Sequence, residues 1–136
     1  MLMTGSSKTL TAWVPLAAPS MNSLLYCIRG RHEAKPEVRM FRSQFKSYLP
    51  LWTLASTGPF LVRFTFYESW YHKNGFPKKK DVHNLVKCCE DALMDRYGWD
   101  DSLIWAESYQ KIHTQDKVGI EVTIQPYEGV SHVGNA

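Results

Sequence analysis

Residues 60–70, Phe60-Leu61-Val62-Arg63-Phe64-Thr65-Phe66-Tyr67-Glu68-Ser69-Trp70, constrain the fold more than any other stretch of the chain. Val62, Phe64 and Phe66 alternate with Arg63 and Thr65, the two-residue period of a strand with one face in a core and the other wet. Thr9 to Leu16 alternates in the same way, then stops at Pro15-Leu16-Ala17-Ala18-Pro19-Ser20-Met21-Asn22, where two prolines and a Ser/Asn pair end regular structure. Ser102 to Ile112 and Lys117 to Gln125 read as two further strands separated by His113-Thr114-Gln115-Asp116, with Val118, Ile120, Val122 and Ile124 alternating.

Two segments carry the helical period instead. From Glu37 to about Leu54, the residues Val38, Phe41, Phe45, Tyr48, Leu49 and Trp52 recur at three- and four-residue steps, with Pro50 expected to kink or shorten the helix. A second helix is predicted from about Val82 to Arg96, burying Leu85, Cys88, Cys89, Ala92 and Leu93 and closed by Gly98. The order is strand, helix, strand, helix, strand, strand: a small α+β domain with a mixed β-sheet and two main helices. At 136 residues the chain is one domain. Its boundaries are expected at 9–126, with 1–8 and 127–136 as disordered ends.

Neither a membrane span nor a signal peptide is legible, since no apolar run is long enough and the opening residues lack a charged segment before an apolar one. Three cysteines, two of them adjacent, suit neither a disulfide framework nor a zinc knuckle, so core thiols in a reducing cytoplasm are expected. The formal net charge of +3 says little, but its distribution says more. Basic residues crowd into 29–46 and 73–80 while the acids gather mostly after 80, a division suited to holding a phosphate backbone while presenting carboxylates to a metal. Arg29, Arg31, Lys35, Arg39, Arg42 and Lys46 form a candidate DNA-contacting surface, as do Lys78, Lys79 and Lys80. A solvated helix face is the plain alternative for the first group.

The segment that carries chemistry runs from Lys80-Asp81-Val82-His83-Asn84 through Lys87 and Asp91-Ala92-Leu93 to Trp99-Asp100-Asp101-Ser102. Asp81 stands where a helix N-cap belongs, and alone it would be read as a cap. At about 100° per residue, however, Asn84, Lys87 and Asp91 fall within a sector of roughly 60° along one edge of the helix. Asp100 and Asp101 follow its end. Carboxylates gathered in this way repel one another unless a cation sits among them, and hard oxygen donors favour Mg2+, with Mn2+ as the alternative. Such an ion polarises a phosphoryl oxygen, while a lysine neutralises charge on the pentavalent phosphorus. A capped, salt-bridged surface helix is the structural alternative.

At these residues the chain resembles the RusA family of Holliday junction resolvases, small dimeric endonucleases common in phages and prophages. The family's Asp-x-Asp-Asn helix start, the Lys three residues after the Asn, the Asp-Ala-Leu and the Asp-Asp pair stand here as Asp81-Val82-His83-Asn84, Lys87, Asp91-Ala92-Leu93 and Asp100-Asp101. Pro19-Ser20-Met21-Asn22 matches the family's Pro-Ser-x-Asn turn. The resemblance implies a homodimer in the cytoplasm of a bacterial host, cleaving branched DNA in recombination and repair with magnesium and no organic cofactor. It carries over Asp81 and Asp101 as metal ligands, Lys87 as the catalytic lysine, Asp100 and Asp91 as further acids, and Asn22 and Asn84 as DNA contacts. The departure is His83, where the family usually has its second acid. An imidazole is a softer, neutral donor that shifts preference towards manganese, acts as a base on the attacking water, or leaves a branched-DNA binder with a vestigial site. Each lysine contact to a phosphate steepens the log–log salt dependence of binding by about 0.9. Lys79→Ala is therefore expected to flatten that slope by about this amount in a fluorescence-anisotropy titration against salt.

Overall fold

The structure is a computed structural model that describes residues 6–7, 9–19, 36–51, 53–54, 57–80 and 82–129. Its order is β1 (Ser6–Ser7), β2 (Leu10–Val14), α1 (Pro36–Tyr48), β3 (Thr53–Leu54), β4 (Phe60–Glu68), α2 (His83–Tyr97), a 3-10 turn (Asp101–Leu103), β5 (Ile104–His113) and β6 (Gly119–Pro126). The α+β class and the order of the main elements are as the sequence predicts. The two-residue parallel pair of β1 and β3 is an addition.

β4 owes its place to its alternation. Phe60, Val62, Phe64 and Phe66 are fully or almost fully buried, and with Ile120, Val122 and Ile124 of β6 they form the floor of the core. The four-stranded sheet runs β2-β6-β4-β5. β4 pairs antiparallel with β6 and parallel with β5, so the sheet is mixed. Although β5 and β6 are joined by a short turn, they do not pair with each other: β4 lies between them. A parallel neighbour demands a crossover, and α2 is that crossover.

The helices lie on the core side. α1 buries Val38, Phe41 and Phe45, and α2 buries Leu85, Val86, Cys88, Cys89, Ala92 and Leu93. The stripe predicted to reach Leu54 stops at Tyr48, two residues before Pro50, because the residue preceding a proline is driven out of helical conformation. The Pro50 carbonyl then accepts a hydrogen bond from the Tyr97 hydroxyl, 2.9 Å, which ties the end of α1 to the end of α2. α2 ends at Gly98, whose φ of 68° is left-handed, with the Gly98 and Trp99 N–H groups both reaching the Met94 carbonyl. Its N-cap is Val82, which makes no side-chain capping bond, so the cap falls one residue later than Asp81.

Two further expectations fail. Val118 lies outside β6 and is 46% exposed, because the strand begins at Gly119. Cys88 is disulfide-bonded and only Cys89 is a free, buried thiol among the described cysteines, so the reading of all three as thiols does not hold. No helix among the described residues is long and apolar enough to cross a membrane.

Phe64→Ala removes a fully buried ring from the central strand and is expected to cost about 3–5 kcal/mol in urea unfolding. Val118→Thr, at an exposed site, should stay within about 0.5 kcal/mol of the wild type.

Candidate active site

The β4–α2–β5 crossover lays one flank of α2 against the sheet's edge strand. In the pairing register, Glu107, Tyr109, Lys111 and His113 of β5 stand beside Val62, Phe64, Phe66 and Glu68 of β4. They continue the core face of β4 outward to where the layer ends and solvent begins, which is why polar and charged residues occupy this part of β5. A crevice of about 320 Å³ opens there, lined by Lys87 and Glu90 of α2, Asp101 and Ser102 of the 3-10 turn, and Trp105 and Glu107 of β5.

Its electrostatics are lopsided. Among the described lining residues, three carboxylates face one ammonium. The Glu107 carboxyl is pushed up to about 7, first by burial and then by the charge of Glu90, with the Lys87 ammonium pulling the other way. Glu90 is raised for the same leading reason, opposed by Lys87 and assisted by Asp91 and Asp101. Asp100 behaves differently. It caps the 3-10 turn by accepting the Ser102 N–H at 3.2 Å, and that bond, after a hydrogen bond with the Asp101 side chain, holds its carboxyl below the usual range.

His83 is the first residue of α2, and its Nδ1 lies 3.1 Å from the Tyr109 hydroxyl across on β5. The helix start and the edge strand are thus joined directly. The approach to α2 is held by Glu68, a buried carboxylate at the end of β4. Its Oε1 accepts the Ala18 N–H at 3.1 Å and its Oε2 accepts Lys80 Nζ at 3.0 Å. The Lys80 carbonyl in turn accepts Lys111 Nζ from β5. Lys80 and Lys111 also lie over the Trp70 ring.

Of the residues singled out in the sequence, the crevice brings Lys87 and Asp101 together. Asp91 sits half-buried on the next flank of α2 and Asp100 is exposed at the turn; neither lines the crevice. Asn84 is half-buried in the first turn of α2. On α1, Arg39 is exposed, Arg42 is half-buried, and Lys46 pairs with Asp95 of α2 at 2.7 Å. Lys78 and Lys80 are half-buried and Lys79 exposed on the loop leading into α2. Asp81, Asn22, Arg29, Arg31 and Lys35 lie outside the described residues. Trp99 is buried, stacked on Phe60 at 4.5 Å, and it is Trp105 that stands exposed at the crevice.

The matched segment decides the family. The Endodeoxyribonuclease RusA family model matches residues 28–125, which include every lining residue of the crevice. The chain belongs to the RusA endodeoxyribonuclease family. No curated protein matches the chain. Membership identifies the chain with structure-specific endonucleases acting on Holliday junctions.

Glu90, Glu107 and Tyr109 were missed by sequence reasoning. Glu90 stands three residues after Lys87 and Asp91 four, and both spacings make helix neighbours. Only the direction in which α2 faces β5 selects Glu90. Among the described residues no three His, Cys, Asp or Glu side chains converge closely enough to hold a metal ion. The donor chemistry nevertheless suits one: the crevice offers hard oxygen donors with an excess of negative charge.

Because folded Glu107 holds its proton more tightly than the unfolded chain does, its stabilising contribution is complete below pH 4.5 and lost as pH rises through about 7. Glu107→Gln removes this titration. Urea midpoints measured in metal-free buffer across that window should fall less steeply with pH in the variant; equal slopes would rule the assignment out.

Proposed function

We propose that the chain is a divalent-metal-dependent endonuclease that resolves Holliday junctions and related branched DNA by phosphodiester hydrolysis, in recombination and repair. The observation that supports this most is the meeting of Lys87 and Asp101 in one crevice inside the family-matched segment, with Glu90 and Glu107 supplying further negative charge. Asp101 is proposed to hold Mg2+ together with Asp81, with His83 proposed as a third donor. When bound, the ion supplies Lewis-acid stabilisation of charge on the scissile phosphate.

The chain's own residues do the rest. Lys87 carries the positive charge of the crevice, and it offsets the charge that builds on the phosphoryl oxygens as water attacks. Its charge acts on Glu90 and Glu107, drawing both carboxyls down against their burial. Tyr109 meets the His83 ring at Nδ1 and so fixes its orientation at the start of α2. Lys78 and Lys79 bind the flanking phosphates as the strand enters, while Lys80, paired with Glu68, anchors the loop that carries them. Arg39 of α1 adds to that surface, as do Arg42 and Lys46, with Asn22, Asn84, Arg29 and Arg31 as further DNA contacts.

A homodimer is proposed too, since symmetric resolution needs two cuts. The outer edge of β5 supports it. That edge has no strand neighbour among the described residues, and Trp105, Tyr109 and Ile112 are exposed along the strand.

Cleavage of a synthetic four-way junction, measured with Mg2+ and with Mn2+, tests the reading. The wild type is expected to cut with at least one of the two, and Lys87→Ala and Asp101→Asn should each lower the rate by about a hundredfold or more without loss of junction binding. Protein that binds the junction but cuts with neither metal is a branched-DNA binder. In that case restoration of cleavage by His83→Asp would assign the loss to that one position.

A further inference from the structure

The segment between β4 and α2 does more than connect them. Tyr71 and Pro77 form an antiparallel bridge, and four hydrogen bonds make that bridge and close the turn it encloses. The His72 N–H reaches the Phe76 carbonyl at 2.8 Å and the Gly75 N–H reaches the His72 carbonyl at 2.9 Å. The Phe76 N–H reaches Asn74 Oδ1 at 3.1 Å, and the Lys78 N–H reaches the Trp70 carbonyl at 2.7 Å. Gly75 takes the left-handed φ of 88° that this turn requires. A loop so closely bonded presents its side chains in fixed directions.

What it presents is an aromatic ring. Phe76 is 67% exposed, so its ring contributes little to the core. The loop itself is basic: residues 69–80 contain four lysines and no acid, and of the four Lys80 is paired with Glu68. Beside the ring a concave surface of about 990 Å³ is lined by Asn74, Phe76, Pro77 and Lys78 to Lys80. An exposed aromatic among lysines fits a nucleobase whose own phosphates occupy the cations, because every base has a π-face and every nucleotide a negative charge. A neutral apolar protein surface would leave the lysines without counter-charges.

The position of the loop gives that contact a purpose. Its far end is Lys80, clamped on Glu68 and bonded through its carbonyl to Lys111, and α2 follows with His83 and Lys87. A base seated on Phe76 is therefore held in fixed relation to the crevice. In an intact duplex the bases are stacked on one another and none is free to accept the ring. At a branch point stacking is interrupted, so capture of a base costs least there.

We propose that Phe76 is a base-stacking wedge that recognises an unstacked nucleobase at a DNA branch point, with Lys73, Lys78 and Lys79 holding the flanking phosphates. The proposal rests on the branched-DNA reading above and assigns its structure selectivity to one side chain.

The test compares binding of the full chain to a four-way junction and to a linear duplex of equal length, in calcium so that DNA is not consumed. The junction carries 2-aminopurine at the branch point. Phe76→Ala is expected to weaken junction binding about tenfold, leave duplex binding unchanged, and abolish the fluorescence change that the wild type produces. Phe76→Trp should retain both junction affinity and the fluorescence change. Lys79→Ala, in contrast, should weaken junction and duplex alike. Equal junction binding by wild type and Phe76→Ala, or an equal loss on junction and duplex, overturns the wedge while leaving the nuclease reading standing. Failure of the wild type to bind the junction at all removes the wedge and the nuclease reading together.

Discussion

The parallel pairing of β4 with β5 is the constraint on which the remaining architecture depends. Antiparallel neighbours can be joined by a tight turn, but two parallel strands need a segment that travels back along the sheet. Here that segment is the lysine-rich loop followed by α2. The return path places the flank of α2 over the strand at the sheet's edge, where the core is too thin to cover β5. A crevice results, and its two walls come from elements far apart in sequence yet fixed by the same ladder of hydrogen bonds.

Charge within the crevice follows from that placement. Carboxylates on α2, on the 3-10 turn and on β5 face one another across a partly desolvated gap, with Lys87 as the opposing charge among the described lining residues. Burial first, and then repulsion, raise Glu90 and Glu107. Such a gap is poor for stability and well suited to a cation or a phosphate chemistry that needs concentrated charge. His83 takes part through the Tyr109 hydroxyl, so a ring that departs from the family's acidic pattern is still held in place by the opposite wall.

Glu68 links this crevice to the rest of the molecule. As the last residue of β4 it is buried, and it answers its burial by binding the Ala18 N–H and the Lys80 ammonium. A buried carboxylate left without those partners would carry a heavy desolvation penalty. The clamp fixes the chain at the point where it leaves the sheet and turns into α2. Through Lys80 and Lys111 the entry loop and the edge strand are held together.

Much of this was legible in the residues themselves. The alternation of Phe60 to Phe66, the helical stripe through Leu85, Cys89 and Leu93, and the Gly98 stop are local signals, because they depend only on the two-residue and 3.6-residue periods of the backbone. The spacing of Asn84, Lys87, Asp91 and the Asp100-Asp101 pair carried the family resemblance for the same reason. Other features had no local signal. That β4 separates β5 from β6 despite their short connection is a matter of which strands pair. Glu90 rather than Asp91 lines the crevice because α2 turns that flank to β5, and Glu107 joins it because register puts it beside Val62 on an edge strand. The sequence alone therefore determined the main elements, their order and the segment that carries the family resemblance. Tertiary structure alone decided which side chains face one another, because facing depends on strand pairing and helix rotation, and both are set by packing across the whole sheet.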